Sequence, residues 1–246
     1  MRRVEQIMGT VFSFDVRSDR DPTAALDETV AWLHWVDETF SPYRADSVVS
    51  SLQRDELTLD GCPGDVVEVF NQCHKLSAAS NGYFTVTPHG ALDPCGFVKG
   101  WSVERASAQL RARGFVNHAI GGGGDVRASG ESGDGSAWRI GIADPGLPRH
   151  ILAVVAARDL AVATSGTAER GAHVIDPTTD RPATEITSLT VVGPDLGIAD
   201  GYATAGVAMG AAARDWLETL PEYEAYAINA DGQYWSTTEF CRHVAG

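Results

Sequence analysis

The spacing of apolar residues divides the chain into a mainly helical first half and a strand-rich second half. In the first half, apolar residues recur every three or four positions, which is the spacing of a helix with one buried face. The predicted helices cover residues 21–40, 64–82 and 97–113, with a shorter one within 41–54. Short runs rich in aromatic and β-branched residues predict strands at 10–17 and 83–87.

The second half contains short apolar runs separated by turn residues, which is typical of strands. The runs predicted as strands are FVNHAI, DVRAS, WRIGIAD, ILAVVAA, LAVATSG and SLTVVG. Small residues over 198–220 predict one helix, and the last residues predict a hairpin that turns at Asp231-Gly232. Because the strands are clustered and only partly alternate with helices, we predict an α+β protein that folds as a single domain over residues 1–246.

The charge of the chain narrows the classes of partner. Its 19 Lys and Arg residues against 33 Asp and Glu residues give a formal net charge of −14. Nucleic-acid binding needs Lys and Arg to neutralise phosphates, so we exclude nucleic acid as the main partner. The four scattered cysteines have neither zinc-ligand spacing nor the density of a disulfide framework. No stretch is apolar enough for a signal peptide or a membrane span, so we expect a cytoplasmic protein.

Four consecutive glycines, at positions 121–124, precede Asp125 and are a candidate phosphate loop. They do not match a P-loop, because no Lys follows, and they do not match a dinucleotide loop, because a predicted strand follows where a helix is required. We therefore favour glycines that let backbones approach closely beside a site, with Asp125 fixing the local backbone. Direct contact with phosphate stays open as the alternative.

Asp93 and Lys99 flank a Pro-Cys-Gly turn just before a predicted helix. A helix N-terminus favours anions and a lysine adds a point charge, so this turn is a candidate phosphate site. On spacing alone, an Asp near the helix cap and a solvated Lys explain the pair equally well.

Asp200 and Thr204 lie four residues apart, so they share one face of the predicted helix. A carboxylate and a hydroxyl so placed can hold a hard cation such as Mg²⁺. Taken alone, a capping Asp and a buried Thr is the simpler interpretation. His173 precedes a predicted turn and has the usual side chain for proton transfer near neutral pH, although a lone His there is more often structural.

The order of these weak signals resembles the ApbE-like family of FAD:protein FMN transferases over most of the chain. The matching stretches are MGTVFSFDV (8–16), FSPYRADSVVSSL (40–52), GYFTVTP (82–88), LDPCGFVKGWSVERA (92–106), GGGGDVRASG (121–130), ATSG (163–166), HVIDP (173–177) and SLTVVGPDLGIADGYATAGVAMG (188–210). The resemblance implies an ApbE-like (T-fold-like) domain of largely antiparallel sheets flanked by helices.

The resemblance also implies an activity. Members of the family bind FAD with Mg²⁺ and transfer its FMN half onto a Thr or Ser hydroxyl of a target flavoprotein, with release of AMP. The target motif resembles Asp-x-x-[Ser/Thr]-Gly-Ala-[Ser/Thr]. Some relatives instead hydrolyse FAD to FMN and AMP, or mainly carry FAD, and these are our alternatives. Oxygen ligands suit Mg²⁺ and Mn²⁺ alike.

Residue roles follow from the resemblance by position. The implied FAD contacts are Met8, Tyr43, Tyr83, Phe84, Thr85, Asp93, Lys99 and Val174, with Lys99 on the phosphates. The implied Mg²⁺ ligands are the carbonyl of Gly96 with Asp200 and Thr204. His173 is implied as the base that deprotonates the acceptor hydroxyl.

Overall fold

The computed structural model describes residues 1–147, 149–167, 171 and 174–245. Its largest element is an eight-stranded sheet with the strand order β1-β2-β3-β4-β7-β10-β11-β12. Every pair of neighbours in this sheet is antiparallel. Together with the helices described below, this architecture confirms the predicted α+β class with largely antiparallel sheets.

The strands lie mostly in the second half of the chain. They are β1 (Arg2–Ile7), β2 (Thr10–Val16), β3 (His118–Gly122), β4 (Asp125–Ser129), β5 (Trp138–Ala143), β6 (Ile151–Ala157), β7 (Leu160–Gly166), β8 (Ile175–Asp176), β9 (Arg181–Pro182), β10 (Ile186–Gly193), β11 (Glu224–Asn229) and β12 (Tyr234–Ser236). The helices are α1 (Thr23–Phe40), α2 (Val48–Gln53), α3 (Gly64–Ala79), α4 (Cys95–Ala112), α5 (Leu196–Met209) and α6 (Ala213–Leu217).

The hydrophobic core joins the helices to the sheet. Alternation along β2 buries Phe12, Phe14 and Val16, which pack with Leu26 and Leu33 of α1. A second cluster lies among the helices and contains the aromatic side chains at the α1–α4 contact. There, the ring centroids of Trp32 and Trp101 are 5.6 Å apart. These two clusters hold α4 and α5, which carry the candidate site, against the sheet.

A separate two-stranded ribbon, β5–β6, packs beside the main sheet. Its buried side chains Trp138, Ile142 and Val155 share a hydrophobic cluster with Val162 of β7 and Val192 of β10. The C-terminal segment supports the ribbon, because the amide of Ala245 donates to the carbonyl of Val154 at 2.7 Å. The ribbon thus forms a wall that stands apart from the helices.

The predicted strand at residues 83–87 is wrong, because this segment has irregular backbone. Neighbouring hydroxyl groups take up its amides: Ser80 Oγ accepts from the amide of Phe84 at 2.9 Å, and Thr85 Oγ1 accepts from the amide of Thr87 at 3.1 Å. Such local bonds compete with the ladder bonds of a sheet. The β-branched composition therefore gave a misleading strand signal.

The predicted helix over 198–220 is wrong in its continuity. The helix is interrupted at Gly210, whose φ is 64°, and resumes at α6. Glu185 stabilises the break, because its Oε2 accepts from the amide of Ala211 at 2.8 Å. Strand β1 is an additional element, and its polar residues fit an edge strand with one exposed face.

Within the described ranges, no helix combines the length and apolar character needed to cross a membrane.

Candidate functional site

Most of the predicted site residues meet at one cavity of about 740 Å³. This volume is in the usual range for a site that takes a cofactor-sized molecule. Nine of the twelve predicted residues line it, namely Tyr43, Tyr83, Thr85, Asp93, Gly96, Lys99, Val174, Asp200 and Thr204. Residues separated by more than 150 positions in sequence thus converge on one surface.

Of the other three predicted residues, Phe84 and Met8 do not line this cavity. Phe84 is 1% exposed and packs in the core under the cavity floor, where a Cβ on Gly96 would lie 3.4 Å from the Phe84 ring. Met8 occupies the tight turn between β1 and β2, with a φ of 53°, and packs partly buried against the core. Their predicted contacts with FAD stay predictions. His173 lies outside the described residues.

Helices α4 and α5 come close enough to share one set of polar atoms. A Cβ on Gly100 would lie 2.4 Å from the carbonyl oxygen of Leu196 and 2.7 Å from Cβ of Asp200. Because glycine has no side chain there, the amide of Gly100 donates to Asp200 Oδ2 at 3.0 Å. Helix α5 begins at Asp195, whose Oδ1 accepts from the amide of Ile198 at 2.9 Å. The Asp200 carboxylate is therefore fixed at the floor of the cavity.

The three residues predicted to supply oxygen ligands for a cation all line this cavity. Asp200 supplies a carboxylate, Thr204 a hydroxyl one helical turn further on, and Gly96 a backbone carbonyl. A Cβ on Gly96 would come within 3.4 Å of Thr204 Oγ1, so the start of α4 lies directly on α5. Hard oxygen ligands that leave positions for water and phosphate suit Mg²⁺. The residues present therefore fit the implied metal.

The predicted oxygen set contains one carboxylate, so it differs from an acidic cluster. Among the residues that the structure describes, no three His, Cys, Asp or Glu side chains come together in a way that holds a metal ion. In the predicted ligand set, a hydroxyl and a carbonyl stand where acidic side chains are more usual. Ser165 of β7 lies beside the set, with its Oγ 3.2 Å from Thr204 Oγ1.

Lys99 adds positive charge at the cavity floor. Its Nζ forms an ion pair with Asp125 and lies 3.3 Å from Oδ2 of Asp200. The other carboxylate oxygen of Asp125, Oδ1, accepts from the amide of Thr164 at 2.9 Å. Asp125 therefore joins β4, β7 and α4, and it does more than fix the local backbone.

The two halves of the glycine run have different structural roles. Gly121 and Gly122 lie within β3, where a Cβ would collide with Ser13 at 2.7 Å and with the ring of Phe12 at 2.9 Å. Gly123 and Gly124 form the following turn, have φ values of 54° and 88°, and line the cavity. The first pair gives room for packing on β2, as the close-approach interpretation expects.

Part of the cavity wall is apolar. Val126 of β4 and Val162 of β7 contribute to it, together with Ile140 and Ile142 of the β5–β6 ribbon. Tyr43 lies at the mouth of the cavity and is 87% exposed. One cavity thus offers a charged, oxygen-rich floor and an apolar wall.

An ion pair between buried Arg127 and partly buried Glu104 contacts the start of α5. Glu104 of α4 accepts from Arg127 Nε at 3.0 Å and from the amide of Leu196 at 2.9 Å. Burial raises the pKa of the Glu104 carboxyl above its usual value, while the charge of Arg127 and the amide of Leu196 act in the opposite direction. The motifs that contain these two residues, at 92–106 and 121–130, give no sign in the sequence that Glu104 and Arg127 pair.

A family model described as the ApbE family matches residues 8–91 and 86–227. The chain belongs to the ApbE family, as its sequence motifs predicted.

Several curated relatives are FAD:protein FMN transferases. The protein of that name from Vibrio cholerae serotype O1 is 35% identical over 133 residues, which cover 50% of this chain and 40% of that protein. The one from Rhodobacter capsulatus is 28% identical over 220 residues, covering 85% of this chain and 39% of that protein. The chain thus matches about 40% of the length of these relatives.

Solved structures of the family share the fold. The ApbE protein from Thermotoga maritima has a TM-score of 0.88 at 20% identity, covering 100% of this chain and 99% of that one. The flavin transferase ApbE from Vibrio cholerae has a TM-score of 0.87 at 22% identity, covering 99% and 98%. At these identities, the likeness shows the ApbE fold.

Proposed function

We propose that this chain is an Mg²⁺-dependent FAD:protein FMN transferase. It transfers the FMN half of FAD onto a Ser or Thr hydroxyl of a flavoprotein and releases AMP. The acceptor carries a sequence similar to Asp-x-x-[Ser/Thr]-Gly-Ala-[Ser/Thr]. The curated relatives with that name support the assignment.

The observation that carries the proposal is the pairing of the oxygen-rich floor with the apolar wall in one cavity. Asp200 and Thr204 hold the metal together with the carbonyl of Gly96, and Lys99 contacts the diphosphate. The apolar wall packs against a flat ring system, and Tyr43 lies where it can cover a ring at the mouth. FAD has both parts, a doubly charged diphosphate and two ring systems.

The reaction forms one P–O bond and breaks another. The acceptor oxygen attacks the phosphorus that bears the riboflavin half, and the bond from that phosphorus to the bridging oxygen breaks. AMP leaves with the electron pair of the broken bond, and the acceptor loses its hydroxyl proton. A bound Mg²⁺ supplies positive charge to the departing phosphate, and Lys99 adds to it.

His173 is the proposed base that takes the hydroxyl proton. A Thr or Ser hydroxyl is a weak nucleophile, so a neighbouring base is needed at neutral pH. The proposal for His173 rests on its place in the HVIDP motif. Val174, the next residue, lines the cavity, and the motif therefore reaches the site.

The experiment is a flavinylation assay on a denaturing gel. We expect purified chain, FAD, Mg²⁺ and an acceptor protein with the target motif to give a fluorescent covalent band. Release of FMN and AMP without a band would instead identify a FAD pyrophosphatase. Binding of FAD without turnover would identify a flavin carrier.

Two variants assign the roles within that assay. In Asp200→Asn, the dependence of transfer on added Mg²⁺ should be lost. Asp231→Asn, in the exposed hairpin turn, is its control. His173→Ala should stop transfer and keep FAD binding, with His74→Ala on the exposed face of α3 as its control. Normal transfer by His173→Ala would overturn the assignment of the base.

A further inference from the structure

Lys99 lies between two buried carboxylates at the floor of the cavity. Its Nζ pairs with Asp125, whose side chain is 0% exposed, and lies 3.3 Å from Oδ2 of Asp200, whose side chain is 2% exposed. A buried carboxylate is costly unless a positive charge or hydrogen bonds compensate it. One ammonium group therefore serves two carboxylates, one of which is the proposed metal ligand.

The two carboxylates are held more firmly than the lysine. Backbone amides bind both of them, Thr164 N at Asp125 and Gly100 N at Asp200, at 2.9 and 3.0 Å. The stem of Lys99 instead crosses bare backbone, because a Cβ on Gly123 would come within 3.2 Å of Lys99 Cδ. A lysine side chain has four rotatable carbons. Because of this flexible stem, Lys99 is the member of the three that can move away from its partners.

We propose that Lys99 is an internal counter-ion that competes with the metal for Asp200, and that Asp125 is the positioning residue that sets the balance. A diphosphate in the cavity draws the ammonium group away from Asp200, so the cation and the diphosphate bind cooperatively. This inference rests on the metal role of Asp200 in the proposed function.

The charge of Lys99 affects metal binding in a definite direction. Two cations at one carboxylate repel each other strongly in a buried site, so metal binding weakens while Lys99 occupies Asp200. Asp125 attracts Lys99 in the opposite direction and thereby favours the metal. By linkage, a ligand that draws Lys99 away raises the metal affinity, and the metal raises the affinity for that ligand by the same factor.

Two substitutions should change the metal affinity in opposite directions if Lys99 is a counter-ion that competes with the metal. Asp125→Asn removes one of the two carboxylates that attract the Lys99 ammonium group. The ammonium group then stays at Asp200, so the affinity of Asp200 for the metal should fall. Lys99→Met combined with Asp125→Asn removes the competing cation and its buried partner together, so metal affinity should rise. A merely structural role for these side chains would weaken metal binding in both variants.

The test measures Mn²⁺ binding to the full chain by the electron paramagnetic resonance signal of free Mn²⁺, without FAD. We expect the dissociation constant to rise about tenfold in Asp125→Asn and to fall about tenfold in the double variant. Lys75→Met, which removes an exposed lysine on α3, is the control and should leave the constant unchanged. Circular dichroism checks the fold of each variant. If the double variant does not fold, Lys99→Gln replaces it, and we expect the same fall in the dissociation constant.

A second measurement tests the cooperativity. FAD binding, followed by flavin fluorescence without acceptor, should tighten about tenfold on adding Mn²⁺ to the wild-type chain, and this gain should shrink in the double variant. Equal Mn²⁺ affinity in the variants and the wild type, or a shift in the same direction in both, overturns the inference.

The two proposals fail separately. Flavinylation by a chain whose variants do not show the opposite shifts overturns the counter-ion role alone. Opposite shifts in a chain that transfers no FMN overturn the transferase alone.

Discussion

Gly100 and Asp200 lie face to face where α4 crosses α5, with the Gly100 amide 3.0 Å from Asp200 Oδ2. A methyl group on Gly100 would overlap the carbonyl oxygen of Leu196, at 2.4 Å from the added Cβ. The close approach of the two helices and the position of the carboxylate therefore have one cause.

Replacing this glycine should separate the helices. We expect Gly100→Ala to destabilise the chain by about 1–3 kcal/mol, as overpacked cores do, and to weaken Mn²⁺ binding because Asp200 moves. Chemical denaturation and a Mn²⁺ titration measure the two effects. Gly64→Ala is the control, because a Cβ there meets no atom within 4 Å. Equal stability of the two variants would contradict the packing argument.

The hydrogen bond between Ser165 and Thr204 predicts a graded loss of metal affinity. Thr204→Val keeps the shape of the side chain and removes the proposed ligand, so metal binding should weaken strongly. Ser165→Ala removes a neighbour whose Oγ lies 3.2 Å from Thr204 Oγ1, so we expect a smaller loss, about two- to tenfold. Calorimetric titration with Mn²⁺ measures both. A larger effect from Ser165→Ala would make Ser165 the better ligand candidate.

The buried pair of Glu104 and Arg127 predicts a large cost on substitution. Glu104→Gln leaves the Arg127 charge buried and uncompensated, and Arg127 Nη1 is already buried without a hydrogen-bond partner. We expect a loss of about 3–5 kcal/mol in the free energy of unfolding, measured by denaturant titration. Glu131→Gln removes an exposed pair with Arg158 and should cost at most about 1 kcal/mol. Similar losses in the two variants would show that burial is not the cause.

His118 predicts acid sensitivity of the fold. Its Nδ1 faces the carbonyl oxygen of Phe115 at 2.7 Å, so Nδ1 carries the proton and Nε2 accepts from Ser107 at 2.8 Å. This neutral ring is fully bonded. Burial lowers the pKa of His118 from 6.5 to about 4.

The sign of the pH effect follows from the lowered pKa. Between pH 6.5 and about 4 the unfolded chain binds the proton and the folded chain does not, so stability falls as the pH falls through this window. The full contribution, about 3 kcal/mol, is present above pH 6.5. His118→Asn should flatten this slope in denaturation curves, and the exposed His150→Asn should not. An unchanged slope in His118→Asn would assign the acid sensitivity to other groups.

Local sequence patterns predicted the helices and strands whose hydrogen bonds and caps come from nearby residues. The short helix predicted within 41–54 is α2, where Ser47 Oγ caps the helix by accepting from the amide of Ser50 at 3.0 Å. The predicted strand at 83–87 failed because hydroxyl groups from neighbouring positions bind the amides that a sheet would use. Composition within a short window carries no information about such partners.

The candidate site was predictable where its residues stand in ordered motifs, as with Asp200 and Thr204. The contact of Asp125 with Lys99 joins positions 26 residues apart, and that of Ser165 with Thr204 joins positions 39 apart. Such pairs depend on how strands and helices cross, which no spacing in one sequence reveals. Phe84 shows the reverse, since its motif neighbours line the cavity while its own ring turns into the core.

The cavity takes its predicted ligand oxygens and its lysine from two interlocked helices. Its other surfaces come from strands β4 and β7, the β5–β6 ribbon and a stretch of irregular backbone. Changes to the entrance of the cavity can therefore be separated from changes to its floor. Insertions or deletions near residues 83–93, or in the turn that joins β5 to β6, reshape the entrance and leave the crossing of α4 and α5 intact. The entrance of the cavity can therefore change its shape without moving the oxygen atoms and the lysine at its floor.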